Sequence, residues 1–386
     1  MIMATKNDIF QEHLHNYLKG NKQQKGSILK HVCFVTGMHV KSAVRKFRSV
    51  QMRRKGKPER RGRLEFYTPD VILALKTIWS AASELCGELL HPMIKEYVFI
   101  LRRDKLWEHG DNATEKLLIM SEGTVKRKVS KFKKARQKKK GLSDTKPSHI
   151  KHLVPIFLGP WQGKEPGYGQ IDTVRHSNSA YGDAVYTLNY TDAATLTPIL
   201  RAQWNKGQIA TRSSMQIVKE KMPFNWLGAH PDTGSEFINR MVMEWCREEN
   251  IELSRSRPNH KNDNMYVEER NGHAVRKFIS YQTLNCPETT DALNAVYDIL
   301  NLYLLHFLAV RRQTSKERLG SKYKRTYEKV AKTPYQRILE HPKVSEEVKN
   351  KLRAEHEQLN PLLLKQEIDR RLRKLYDTQK QFGNHG

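Results

Sequence analysis

From about residue 167 the chain stops reading as continuous helix and alternates strand-like runs with helical stretches, and this order restricts the fold more than any other feature. Residues 168–174, 184–191 and 198–204 read as three successive strands, followed by a helix over 211–221 and a fourth strand over 224–230. A helix over 236–250 places Phe237, Met241, Trp245 and Cys246 on one stripe, and 251–254 makes a short fifth strand. After a polar loop, a long helix starts near Tyr266 with Val267, Val275 and Ile279 among its packing positions. Strands and helices in this order predict an α/β layer built on a mixed five-stranded sheet.

Upstream, the chain reads as helical and basic. Residues 27–35 and 39–47 are short apolar-periodic segments flanking a turn that contains Gly37, which is helix-turn-helix spacing. A second such unit joins 114–119 to 124–132 through Ser121, Glu122 and Gly123. Between them, residues 70–101 carry Val71, Ile72, Leu75, Ile78, Trp79, Leu89, Ile94 and Val98 at helical spacing, the expected core uniting both units. The expected organisation is a helical region over 1–132, a basic linker over 133–160, the α/β core over 161–300, and a charged helical accessory region over 301–386.

Composition names the kind of partner. Lys and Arg number 69 against 41 Asp and Glu, a formal charge of +28, which favours a polyanion, nucleic acid first. The cations on the second helix of each helix-turn-helix unit, Lys41 and Arg45, then Lys126, Arg127 and Lys131, are the expected DNA contacts. No run of about 18 apolar residues occurs and the start lacks a secretory apolar stretch, so no membrane partner is expected, and the expected location is cytoplasmic, at the nucleoid when DNA is bound. Cys33, Cys86, Cys246 and Cys286 lie far apart, and no cysteine pair accompanies His13 and His15, which argues against a zinc module.

Three acids fall where one end of the sheet could gather them. Asp172 lies in the first strand, Asp232 follows the fourth strand in a turn marked by Pro231 and Gly234, and Glu268 opens the last core helix. Cleavage of a phosphodiester needs aligned oxygens and neutralised charge rather than covalent help. Two hard cations about 4 Å apart supply both, and carboxylates are their ligands. Other acids have structural readings: Asp263 as a turn cap, Glu236 and Glu269 at helix N-termini, Asp192 at a strand end. Glu269 is the alternative to Glu268 if the helix register shifts by one.

The phrases Asp-Thr-Gly-Ser-Glu-Phe-Ile-Asn (232–239), Ser-Arg-Pro-Asn-His-Lys-Asn-Asp-Asn (256–264) and Val-Glu-Glu-Arg-Asn-Gly (267–272) resemble the integrase core of DDE transposases, ISNCY-type bacterial insertion-sequence transposases in particular. The 35 residues between Asp232 and Glu268 match that superfamily's spacing, and the flanks, including Thr333-Pro334-Tyr335-Gln336-Arg337, look similar to the same group. Thr233 and Met265 depart from the residues usual at those positions, and neither removes an acid.

The resemblance implies an RNase H-like catalytic core flanked by N-terminal helix-turn-helix and C-terminal helical regions. It implies a metal triad of Asp172, Asp232 and Glu268 holding two Mg²⁺ or Mn²⁺ ions. It also implies action as a homo-oligomer on double-stranded DNA, joining transposon ends to a target. Arg257, Lys261, Asn264 and Arg270, in or beside the loop before the Glu268 helix, are further expected DNA contacts. Two other readings use the same residues: a structure-selective nuclease without strand transfer, and a non-catalytic DNA-binding repressor.

Overall fold

The computed structural model describes residues 3–52, 65–132, 148–257 apart from 158, 160, 162, 180 and 181, then 263–319 and 322–383. Lys261 and residues 133–147 of the expected linker lie outside the described residues. The chain forms two compact units, Met1–Phe66 and Tyr67–Gly386.

The first unit holds three helices, Met3–Lys19, Lys22–Thr36 and Val40–Gln51, around buried Phe10, Val32, Ala43, Phe47 and Val50. Asn21 and Gln24 form a reciprocal capping box at the start of the second helix, satisfying two backbone donors that would otherwise lack partners. Gly37 ends that helix at φ 66°, a left-handed conformation that glycine adopts without strain. The third helix then starts at Val40, presenting Lys41 and Arg45 on its exposed face.

The second unit is organised on a mixed five-stranded sheet, β1 (Tyr168–Arg175), β2 (Val185–Asp192), β3 (Pro198–Trp204), β4 (Gly228–His230) and β5 (Glu252–Leu253). Its order is β3-β2-β1-β4-β5, with β1, β2 and β3 antiparallel and β1, β4 and β5 parallel. That is the RNase H-like arrangement. Alternation along the strands splits the core into two layers. Ile171, Leu188, Tyr190 and Ile199 face the helices Gln208–Lys221 and Arg240–Glu248, packing on Met215, Val218, Val242 and Trp245. Val174, Val185, Leu200 and Ala202 face the opposite way, towards Ala274, Val275 and the helix Glu288–His306.

The boundary between units falls after Phe66, not at 132. Val71, Leu75 and Ile78 belong to the same apolar core as Val296, Leu300 and Leu304, and Tyr303 Oη donates to Ala81 O at 2.8 Å. The second expected helix-turn-helix, Asp111–Leu118 and Glu122–Phe132, therefore packs within the sheet-bearing unit, with Glu122 and Gly123 already in its second helix. The described end of the expected linker is structured too: Val154 is buried, and Arg255 Nε donates to Lys151 O and Val154 O at 2.7 and 2.9 Å. Nor is the C-terminal region wholly helical. After the end of the Glu288–His306 helix it forms an antiparallel hairpin, β6 (Gln313–Leu319) and β7 (Lys322–Tyr327), and its last helix, Pro361–Phe382, contributes Ile368 and Leu375 to the main core.

Strand β3 is an edge strand whose outward backbone groups would be unpaired. Two side chains seven residues apart on one face of the Glu288–His306 helix cover it. Asn294 accepts from Ala202 N at 2.8 Å and donates to Ala202 O at 3.1 Å, and Asn301 does the same at Leu200, at 3.0 and 3.1 Å. Both amides substitute for a sixth strand. Asn294→Ala strands two buried backbone groups and is expected to lower the unfolding free energy by about 2–4 kcal/mol, with a smaller loss for half-buried Asn301→Ala. Denaturant unfolding of both variants checks this, and losses under about 0.5 kcal/mol would show that the edge is satisfied without them.

Candidate functional site

The register of β1 against β4 sets the site. Gln170 pairs with His230 in the parallel ladder, so Asp172 and Asp232, each two residues further on, come level just beyond that ladder, Asp172 in the middle of β1 and Asp232 in the turn after β4. The sheet order diverges here, with β2 on one side of β1 and β4 on the other, the place where open α/β sheets leave a crevice. Asp172 Oδ1 accepts from Thr173 N at 2.8 Å and its Oδ2 from Asn271 Nδ2 at 2.7 Å. Asp232 Oδ1 accepts from Gly234 N at 2.7 Å, the tight turn that Asp and Gly favour.

A buried amide network docks the Glu268 helix on this strand. Gln170, fully buried, accepts from Tyr266 N and Val267 N at 2.8 and 3.1 Å and donates to Asp263 O at 2.8 Å. Asn189, opposite Asp172 on β2, donates to Asn271 Oδ1 at 2.8 Å, holding the amide that reaches Asp172. The helix runs as α-helix over Met265–Arg270 and widens into a π-helical segment, Asn271–Arg276, where it meets Asp172. Such segments recur at functional sites.

Glu268 is exposed, one turn before Asn271 on the same helix face. The structure thus brings Asp172 and Asp232 together and sets the Glu268 helix beside them without bringing the third carboxylate in. Among the described residues, no three His, Cys, Asp or Glu side chains are arranged to hold a metal ion. Glu236 does reach the site. It is buried, and its Oε1 accepts from Thr173 Oγ1 at 3.2 Å. It is not a helix-terminus residue: the next helix begins at Arg240, and its cap is Asn239, which accepts from Val242 N at 3.0 Å.

The expected DNA contacts divide. Lys41, Arg45, Arg127 and Lys131 are exposed, while exposed Lys126 is ion-paired to Glu88. Arg257 is tied by its guanidinium and backbone to Asp263 at 2.9–3.1 Å, closing the base of its loop. Asn264 and Arg270 correct the expectation, because both are buried; Arg270 shares a helix face with Val267 and Ala274 and turns inward. Gln170, Asn271 and Glu236 were not expected to shape the site. Their signals were spacing: Gln170 shares a strand face with Asp172, and Asn271 a helix face with Glu268.

Burial pushes the Asp172 carboxyl up to about 7, with Asp232 and Glu236 adding repulsion against its Thr173 and Asn271 hydrogen bonds. Burial likewise raises Asp232 and Glu236, opposed in part by the nearby charge of Lys206. Sheltered carboxyls set near one another repel when ionised, which favours the protonated acid.

No family model matches the chain. It is 30% identical over 338 residues to "Uncharacterized protein y4rM" of Sinorhizobium fredii, covering 84% of this chain and 93% of that protein. Among solved structures, it matches the HTLV-2 integrase catalytic core domain in complex with magnesium, dimeric form, at 15% identity and TM-score 0.30, over 39% of this chain and 93% of that one. A simian T-cell lymphotropic virus intasome in complex with PP2A regulatory subunit B56 gamma matches at 13% identity and TM-score 0.35, over 52% and 63%.

The raised Asp172 has a signed consequence. Between about pH 4 and 7 the folded chain keeps a proton there that the unfolded chain has released, so this group's contribution to stability falls as pH rises and is lowest above 7. Asp172→Asn lacks that slope. In metal-free buffer, the melting temperature of Asp172→Asn relative to wild type is expected to climb from pH 4 to pH 8; a difference independent of pH would contradict the account.

Proposed function

The chain belongs to the family of the Sinorhizobium fredii protein y4rM, and from the geometry of its site we propose that it is a DDE-type polynucleotidyl transferase, a transposase or integrase that cuts DNA ends and joins them to a second strand. The observation that carries this reading is the level placement of Asp172 and Asp232 just beyond the ladder that joins the parallel strands β1 and β4, with the Glu268 helix fastened to β1 through Gln170 and Asn271. The ISNCY-type sequence phrases refine it to a bacterial insertion-sequence enzyme.

The donor set is entirely carboxylate, hard oxygen in a sheltered place, and fits Mg²⁺ or Mn²⁺. Asp172, Asp232 and Glu268 would hold two such ions, whose charge stabilises the phosphodiester oxygens during displacement. Glu268 reaches the site by a change of side-chain conformation on a helix face that already touches it. Asn271 and Thr173 fix the Asp172 carboxylate, the Gly234 amide fixes Asp232, and Gln170 fixes the helix, so the groups are placed before substrate arrives. The reaction is hydrolysis at a transposon end followed by attack of the freed 3′ hydroxyl on a target strand.

Lys41 and Arg45, on the third helix of a three-helix unit, follow DNA by the helix-turn-helix mode, and Arg127 and Lys131 add cationic surface on the second unit. Two ends handled together call for a homo-oligomer on DNA. Among the described residues no helix is long and apolar enough to cross a membrane.

The test uses DNA ends taken from inverted repeats that bracket the gene. Asp172→Asn, Asp232→Asn and Glu268→Gln are each expected to lose cleavage and strand transfer by several orders of magnitude while end binding persists. Lys41→Glu and Arg45→Glu do the reverse, weakening binding and flattening its dependence on salt. Wild-type cleavage by all three acid variants sinks the assignment; cleavage without strand transfer by the wild type leaves a nuclease.

A further inference from the structure

Glu236 stands four residues after Asp232, before the helix that starts at Arg240, and caps nothing. Its side chain is turned into the site and is 3% exposed. Oε1 has the Thr173 hydroxyl at 3.2 Å, while Oε2 has no hydrogen-bond partner among the described residues. Glu236 Oε2 and Asp232 Oδ1 converge on one point beside Gly234: they lie 2.6 and 2.9 Å from where a Cβ on that glycine would stand. Only a residue without a side chain lets the two carboxylates share that space.

An unpaired carboxylate oxygen buried in protein is costly, and a second acid beside it adds repulsion. Lys206 is the cation whose charge reaches both Asp232 and Glu236, and it leaves Oε2 unbonded. A buried, unbonded carboxylate oxygen beside the Asp232 carboxylate is the kind of hard donor a divalent cation takes.

We propose that Glu236 is a direct ligand of the divalent cation in this site, joining Asp172 and Asp232 from the sheet side while Glu268 approaches from the helix side. The inference rests on the proposed cation site and adds a fourth carboxylate to it. Thr173 is then the group that orients Glu236, leaving Oε2 for the metal, and Gly234 is the residue that admits it.

The experiment titrates Mn²⁺ alone into the full chain by calorimetry, with melting temperatures taken in parallel with and without the ion. Glu236→Gln keeps the acceptor for Thr173 and removes the charge, so Mn²⁺ affinity should fall at least about tenfold, the least that losing even an outer partner costs a metal site. Its metal-free melting temperature should not drop, because a buried charge has gone. Glu236→Asp, which keeps the charge but retracts it by one methylene, should also bind more weakly than wild type. Asp172→Asn is the control for the site itself. If Glu236→Gln binds Mn²⁺ as wild type while Asp172→Asn does not, the cation site stands and Glu236 is not its ligand. If Asp172→Asn also binds as wild type, the cation site fails and this inference with it. Should Glu236→Gln not fold, wild-type affinity in folded Glu236→Asp overturns the proposal.

Discussion

Gln170 is the side chain on which the site's geometry depends. Fully buried on the central strand, it accepts from two of the backbone N–H groups that a helix start leaves unpaired and donates to the carbonyl just ahead of that helix. The strand bearing Asp172 and the helix bearing Glu268 are thereby fixed in one register. Asn189 and Asn271 extend the connection to Asp172 itself, and the Arg257–Asp263 ion pair closes the base of the loop that delivers the helix. Buried polar networks of this kind hold position well only when satisfied, and an apolar substitute at Gln170 would leave the helix free to slide.

The same site carries a deliberate imbalance. Two other buried polar places are paired: Asp192 accepts from Gly167 and Thr195 backbone and from the Thr195 hydroxyl, and the free edge of β3 is covered by two asparagines. At Asp172, Asp232 and Glu236 the fold instead gathers acids whose carboxyls burial pushes up, with repulsion from neighbouring acids adding to it at Asp172 and Glu236. Stability given up at a local site is a recurrent signature of function. The helices of residues 67–132 and the C-terminal Pro361–Phe382 helix pack on the face of the sheet that carries Asp172, so the strands holding the acids are backed by one continuous core.

The strand and helix order of the core was legible because its apolar periodicities change with each element, and the level placement of Asp172 and Asp232 followed from which strands carry them. The unit boundary was not. Residues 70–101 are periodic whichever neighbour they pack on, and periodicity does not say that the neighbour is the Glu288–His306 helix. The β6–β7 hairpin is not legible in the sequence because charged residues, Glu317, Lys324 and Arg325 among them, give the run no apolar two-residue period. Arg270 reads as surface charge by residue type, although its spacing from Val267 and Ala274 puts it on the packed face. Glu236 reads as a helix-end acid because the sequence places a helix from 236, while Asn239 delays its start to Arg240.

The central claim is that carboxylates from β1, from the turn after β4 and from the docked helix form one cation site. Anomalous diffraction from crystals of the full chain grown with Mn²⁺ measures this directly. The account predicts manganese peaks bounded by Asp172 and Asp232, with Glu268 swung in from its exposed position. Crystals saturated with Mn²⁺ that show no peak there, with Asp172 and Asp232 still facing each other unbridged, would contradict it.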